Sequence, residues 1–208
     1  MAKRTTQYRG CDNLVYALIT TDSAVAYETG EVKDLAVCKS VSRTFEQDSA
    51  TVFGDNKAQI VTQGAGKLTK SFEVFALDPE TIAEITGQEV LTVGTKKMVI
   101  TKSHAVAPYI AVGYALYDTD DADTPCEYVW CLKAKAKMPE KSASTIDDGT
   151  DSQGQTLEIE CVSTLHKFTN GGSVMDISSP HLGDGYDMEK WFAQVVTPDN
   201  ANTVLTEA

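Results

Sequence analysis

Lys67-Leu68-Thr69-Lys70-Ser71-Phe72-Glu73-Val74-Phe75-Ala76-Leu77 runs directly into Asp78-Pro79-Glu80-Thr81-Ile82-Ala83-Glu84-Ile85-Thr86-Gly87, and the joint between them decides the fold class. The first segment, rich in β-forming residues, predicts a strand. In the second, Asp78 is placed to cap a helix, and Pro79 sits at the first helical position with its φ already set. Glu80 lies in the first turn, and Gly87 closes the helix. Ile82 and Ile85, three apart, share one face. A helix this short is marginal by itself and packs down on a sheet.

Strands surround that joint on both sides. Residues 14–21 (Leu-Val-Tyr-Ala-Leu-Ile-Thr-Thr) read as an apolar strand, and residues 32–45 as a half-buried one in which Val37, Val41 and Phe45 alternate with polar positions. Downstream, residues 96–101 and 107–118 read as strands, the latter with Ile110, Val112, Tyr114 and Leu116 on one face. Strict alternation through residues 126–138 places Tyr128, Trp130, Leu132, Ala134 and Ala136 on one face and Lys133, Lys135 and Lys137 on the other. In residues 155–166, Leu157, Ile159, Cys161 and Leu165 oppose Glu158 and Glu160. Antiparallel pairing of these two strands sets the Lys row against the Glu row on a wet face, worth a fraction of a kcal/mol per exposed pair. Residues 139–154 are polar and read as a flexible connection. Residues 187–195 read as one or two helical turns, and the Asn- and Thr-rich end reads as disordered or as an arm that orders on a partner.

Between residues 44 and 66 the chain turns polar and small, with short strands embedded at 51–53 and 58–62. This predicts a long hairpin-like excursion off the body, and such excursions in compact domains are often functional.

Composition narrows the function. The chain has 208 residues, 42% of them hydrophobic, enough for one domain with a real core. No apolar run is long enough for a membrane span, and the basic N-terminus is followed by no apolar segment of a secretory signal, so synthesis and folding in a cytoplasm are expected. The five cysteines are odd in number and carry no Cys-x-x-Cys spacing, so buried free thiols are expected rather than a disulfide framework or a metal site. A net charge of −12 argues against affinity for nucleic acid.

Motifs that would carry chemistry fail in their details. Gly64-Ala65-Gly66-Lys67-Leu68 lacks the Ser or Thr and the earlier Gly of a phosphate loop. Residues 118–123 are Asp-rich, but the turn glycine of an EF-hand is Asp123 here and the closing Glu is Val129, so an exposed acidic turn is expected. No Ser, His and Asp arrangement can be nominated. No enzymatic activity, cofactor or metal is expected.

Taken in order, several blocks resemble the major tail tube proteins of long, non-contractile-tailed bacteriophages. They are Asn13-Leu14-Val15-Tyr16-Ala17-Leu18-Ile19-Thr20, the excursion through Asp48-Ser49-Ala50-Thr51-Val52-Phe53-Gly54-Asp55-Asn56-Lys57, and residues 77–87. Ala107-Pro108-Tyr109-Ile110-Ala111-Val112-Gly113-Tyr114 and Tyr128-Val129-Trp130-Cys131-Leu132-Lys133-Ala134-Lys135 complete them. The resemblance runs over about residues 10–195. It rests on order and spacing, since no block is specific alone, and it is weakest at the acidic loop and the C-terminal end.

The resemblance implies a mainly β fold, a β-sandwich of the tail-tube type with one short flanking helix, filling residues 1–208 as one domain. An N-terminal segment (1–12), a long loop (about 44–66) and a C-terminal arm (about 197–208) would extend from it. It further implies homo-hexameric rings stacked into a tube in the virion, with tape measure and tail terminator proteins as partners. Genomic DNA would pass through the lumen without specific binding, and no membrane would be involved. Net negative charge suits such a conduit. Carried onto this chain, Thr44, Phe45, Glu46, Asp48, Thr51, Phe53, Asp55, Asn56 and Lys57 would contact a neighbouring subunit or ring. The competing expectation is a monomeric β-sandwich binding module for carbohydrate or cell-surface recognition, with Tyr109, Tyr114, Tyr117 and Tyr128 as its aromatics. Rings or tubes on concentration separate the two.

Overall fold

The computed structural model describes residues 7–121, 123–143, 154–179 and 187–206. In chain order the strands are β1 (Tyr8–Asp22), β2 (Tyr27–Thr29), β3 (Lys33–Asp34), β4 (Cys38–Glu46), β5 (Ser49–Gly54), β6 (Lys57–Gln63) and β7 (Lys67–Val74). After helix α1 (Pro79–Thr86) come β8 (Glu89–Val93), β9 (Lys96–Ile100), β10 (Ile110–Asp118), β11 (Glu127–Ala136), β12 (Glu140–Lys141), β13 (Gln155–Cys161) and β14 (Asp176–Ser178). Two short helices follow, α2 (Met188–Ala193) and α3 (Ala201–Thr206). The chain is mainly β, as expected. Among the described residues ten strands form one antiparallel sheet, seven in the order β2-β1-β10-β11-β13-β7-β4 with β3, β14 and β12 paired onto β1, β11 and β13, and β5–β6 and β8–β9 are separate hairpins.

The large sheet curls until its ends approach. The segment carrying β3 and β4 bridges them: β3 pairs with β1, and β4 pairs with β7. Inside the curl, Phe72 of β7 meets Tyr114 of β10 edge-to-face, with centroids 5.5 Å apart although two strands lie between them in the sheet. Leu14, Tyr16, Leu68, Val74, Ile110, Val112, Val129, Leu157 and Ile159 fill this interior, and α1 closes it with Ile82 and Ile85. On the outer face, Val15, Ala17, Ala111, Ala115, Tyr128, Trp130 and Leu132 form a second core under Trp191, Phe192 and Val204 of α2 and α3. Strands buried on both faces explain why β1 and β10 read as continuous apolar runs.

The helix at the joint starts and ends where its residues predict, although the Asp78 side chain makes no capping hydrogen bond. Asp78 is the N-cap position in extended conformation, Pro79 begins the helix, and Gly87 ends it at φ 69°. A Cβ on Gly87 would sit 2.2 Å from the Val106 carbonyl oxygen, and its φ is in the left-handed region. Gly87→Ala is therefore expected to destabilise the fold by about 2–4 kcal/mol, combining left-handed strain with backbone displacement. A urea midpoint unchanged from wild type would contradict this.

Three expectations need correction. The first concerns sidedness in β11. A register shift opposite Ile110–Val112 interrupts the alternation, with Ile110 opposite Ala134 but Val112 opposite Cys131. Tyr128, Trp130 and Leu132 consequently join the outer core, while Ala134 and Ala136 line the interior. The second concerns the Lys row. Lys135 lies opposite Glu160, and Lys137 pairs with Glu158 and Glu160, but Lys133 is buried and pairs with Asp22 at 2.5 Å. The third concerns the Asn- and Thr-rich end, where residues 201–206 are helical and Val204 is buried in the outer core. Thr197 and Asn200 exchange hydrogen bonds just before α3 and set its start. Residues 1–6 of the N-terminal segment, 144–153 of the polar connection and 207–208 of the C-terminal end lie outside the described residues.

Candidate functional site: an exposed two-stranded arm

The excursion between residues 44 and 66 is a bent continuation of the β4–β7 pair. Thr44, Phe45 and Glu46 still belong to β4, opposite Thr69, Leu68 and Lys67. The chain then breaks step. The Gly64 N–H donates to the Asp48 carbonyl at 2.8 Å, and the Gln47 side-chain amide donates to the Gly64 carbonyl at 2.9 Å. The Phe45 ring lies directly over Gly66, where any Cβ would collide with it. Gly64-Ala65-Gly66 is thus a bend through which a ring passes close to backbone.

Beyond the bend, β5 and β6 pair alone. Thr51 faces Val61, Val52 faces Ile60, and Phe53 faces Ala58 across a register shift. Asp55 and Asn56 both take positive φ, 50° and 59°, as the tight turn of a two-residue hairpin demands, and Gly54 and Lys57 flank it. Every residue of β6 is exposed, and nearly all of β5. Phe53 is 71% exposed, Val61 62%, Ile60 58% and Val52 51%. Both outer backbone edges are unpaired among the described residues. A two-stranded ribbon this naked is marginally stable at best, and an uncharged apolar edge is a template for pairing with another chain.

The nine residues expected to make contacts therefore lie along one continuous arm from its root to its tip, and do not converge on a pocket. Sequence reasoning named Phe53, the most exposed apolar residue of the arm, but missed Val52, Ile60 and Val61. It also missed β8, and with it the β8–β9 hairpin that completes the strand expected at 96–101 and exposes Leu91, Val93 and Met98. The β-forming run Val90-Leu91-Thr92-Val93 followed by Gly94 carried that signal.

The four tyrosines nominated for a binding module do not come together. Tyr109 lies beneath the Lys133 and Lys135 ammonium groups at 4.5 and 4.6 Å, and Tyr128 is in the outer core. Tyr117 stands opposite Gly10, and only Tyr114 reaches the cavity of about 610 Å³ at the open end of the curl. In the acidic loop, Asp118 accepts from the N–H groups of Asp120 and Asp121, and Asp121 from those of Asp123 and Thr124, so these carboxylates organise a turn. Among the described residues no cluster of three His, Cys, Asp or Glu side chains forms a metal-binding group, and no helix is long and apolar enough to cross a membrane.

No protein-family profile matches this chain, and no curated protein sequence matches it. Among solved structures, one chain in the cryo-EM structure of the anti-feeding prophage baseplate, 6-fold symmetrised, is similar at a TM-score of 0.37 and 14% identity. The superposition covers 86% of this chain and 98% of that one.

Proposed function

We propose that this chain is a structural subunit, a virion component of the phage-tail kind, that works by assembling with copies of itself through the arm at residues 44–66. In its finer form, the reading is a tail tube subunit: hexameric rings stacked into a conduit that DNA traverses without specific binding. Tape measure and tail terminator proteins would be its partners, and it would need neither catalysis nor cofactor. The observation that carries it is the arm, an ordered ribbon with exposed Val52, Phe53, Ile60 and Val61 and two edges that no described residue pairs with, which a soluble monomer has no reason to keep. The order of blocks resembling tail tube proteins and the net charge of −12 agree with it.

The test is negative-stain electron microscopy with sedimentation velocity across a wide concentration range, on wild type and on a Val52→Lys/Ile60→Glu variant. Wild type is expected to form rings or tubes of uniform width. Charges on both strands of the exposed arm are expected to leave the melting temperature nearly unchanged and to raise the concentration needed for assembly at least about tenfold. Wild type that stays monomeric throughout, or a variant that assembles like wild type, would overturn the reading.

A further inference from the structure

We infer that Cys11 and Cys38 form a covalent modification site, a thiol pair that a low-molecular-weight disulfide such as oxidised glutathione closes into an intrachain bond joining the two ends of the curled sheet. The inference does not depend on assembly.

The site lies where the curl stops closing. Leu35 N–H donates to the Leu14 carbonyl at 2.9 Å, extending the β3–β1 pairing. Past that point the ladders join β1 only to β10 and β4 only to β7, and residues 8–12 and 39–46 are not paired with each other. A cleft of about 190 Å³ lined by Tyr8, Gly10, Cys11, Ser40, Val41 and Leu116 separates them. Cys11 lines this cleft, and its Sγ lies 2.9 Å from the Sγ of Cys38. That is about 0.9 Å beyond a sulfur–sulfur bond.

Access separates this pair from the other thiols. Cys11 and Cys38 are half-buried beside the cleft, whereas Cys126, Cys131 and Cys161 are buried. Cys131 and Cys161 are also close, with Sγ atoms 2.6 Å apart, but they sit inside the curl where no glutathione can reach. Exchange proceeds through a mixed disulfide that must be accommodated at the attacked sulfur. Only the pair at the cleft meets that requirement.

The roles within the pair are unequal. Cys11 is the thiol that lines the cleft, and the hydrogen bond between the two thiols holds it below its ordinary pKa, against burial and Asp12, while the same bond with burial pushes Cys38 up. Cys11 is therefore the attacking thiolate. It bonds one sulfur of oxidised glutathione and expels the other as a glutathione thiolate. Cys38, losing its proton, attacks the Cys11 sulfur and expels the second. The chain loses two thiol hydrogens and two electrons, and one glutathione disulfide becomes two glutathione thiols. In a reducing cytosol the cleft stays open, and in an oxidising medium the bond closes a loop across it.

The experiment uses the full native chain, incubated with oxidised glutathione, blocked with N-ethylmaleimide and digested with trypsin without reduction. Cleavage after Lys33 separates the two cysteines. Expected are a peptide pair linked through Cys11 and Cys38, its loss on dithiothreitol treatment, and a melting temperature raised by roughly 5–10 °C. Cys38→Ser is expected to trap glutathione on Cys11. Both thiols staying free for alkylation, a glutathione adduct persisting on wild-type Cys11, or a Cys131–Cys161 link forming instead would each overturn the proposal. The wild-type map decides this even if the variant folds poorly.

Discussion

Asp22→Ala is expected to lower stability by about 3–5 kcal/mol, because it strands a buried ammonium. Asp22 at the end of β1 and Lys133 in the irregular stretch of β11 are 6% and 7% exposed at their side chains and 2.5 Å apart. The Asp22 carboxylate also accepts the backbone N–H groups of Leu165 at 3.0 Å and His166 at 2.9 Å, so one side chain ties β1, β11 and the loop after β13 together. Removing it leaves Lys133 with the Tyr109 ring and leaves two N–H groups without their acceptor. Burial alone would raise the Asp22 pKa, but Lys133 and the two N–H groups outweigh it, and the carboxyl titrates below its ordinary value.

The sign of the pH dependence follows. A depressed folded-state pKa gives stability that is present above the unfolded value of about 4 and is lost as pH falls through the folded one. The difference between wild type and Asp22→Asn should therefore be full at neutral pH and shrink below about pH 4. Urea unfolding at several pH values measures it. A difference of under 1 kcal/mol at neutral pH, or one flat down to pH 2, would show that the pair does not hold the loop.

That ion pair was invisible in the sequence for a reason that applies elsewhere in the chain. Alternation locates faces only while the ladder is regular. In β13 it held, and Leu157, Ile159 and Cys161 point inward while Glu158 and Glu160 point out, but the strand ends at Cys161 and Leu165, expected on the inward face, is exposed. In β11 a single irregularity between Cys131 and Ala134 sent Trp130 and Ala134 to opposite cores and left Lys133 where a loop from elsewhere could bury it. Local chemistry was legible wherever it was self-contained. Asp78, Pro79 and Gly87 bound α1 as their conformational preferences require, and Asp55 and Asn56 make the arm's turn. The arm itself could be found because none of the described residues covers it: a polar, small-residue stretch with short β segments needs no tertiary partner to be recognised. What covers other segments could not be found, and the burial of Val204 in the C-terminal helix depends on an outer core whose members come from β1, β10, β11 and α2.

Trp130→Ala tests whether that outer core is a separate unit. Trp130 is fully buried, its indole N–H donates to the Trp191 carbonyl at 3.0 Å, and its ring packs on Phe192 with centroids 5.8 Å apart. Gly113 makes this possible, since a Cβ there would come within 3.0 Å of both rings. Truncation is expected to cost about 3–5 kcal/mol, the range for large aromatic residues in cores. The loss should not be uniform. Helix α2, with six residues, cannot persist without its anchor, whereas the interior under α1 contains none of the deleted contacts. Native-state hydrogen exchange of Trp130→Ala should therefore show α2 and α3 amides exchanging far faster while β7, β10 and β13 keep most of their protection. Trp130→Phe should restore packing but remove the indole N–H bond to the Trp191 carbonyl, recovering roughly half of the loss. Protection that collapses evenly across the sheet would mean that the two sides of the curl fold as one core. If α2 opens alone, the outer face is a detachable layer on a self-sufficient curled sheet.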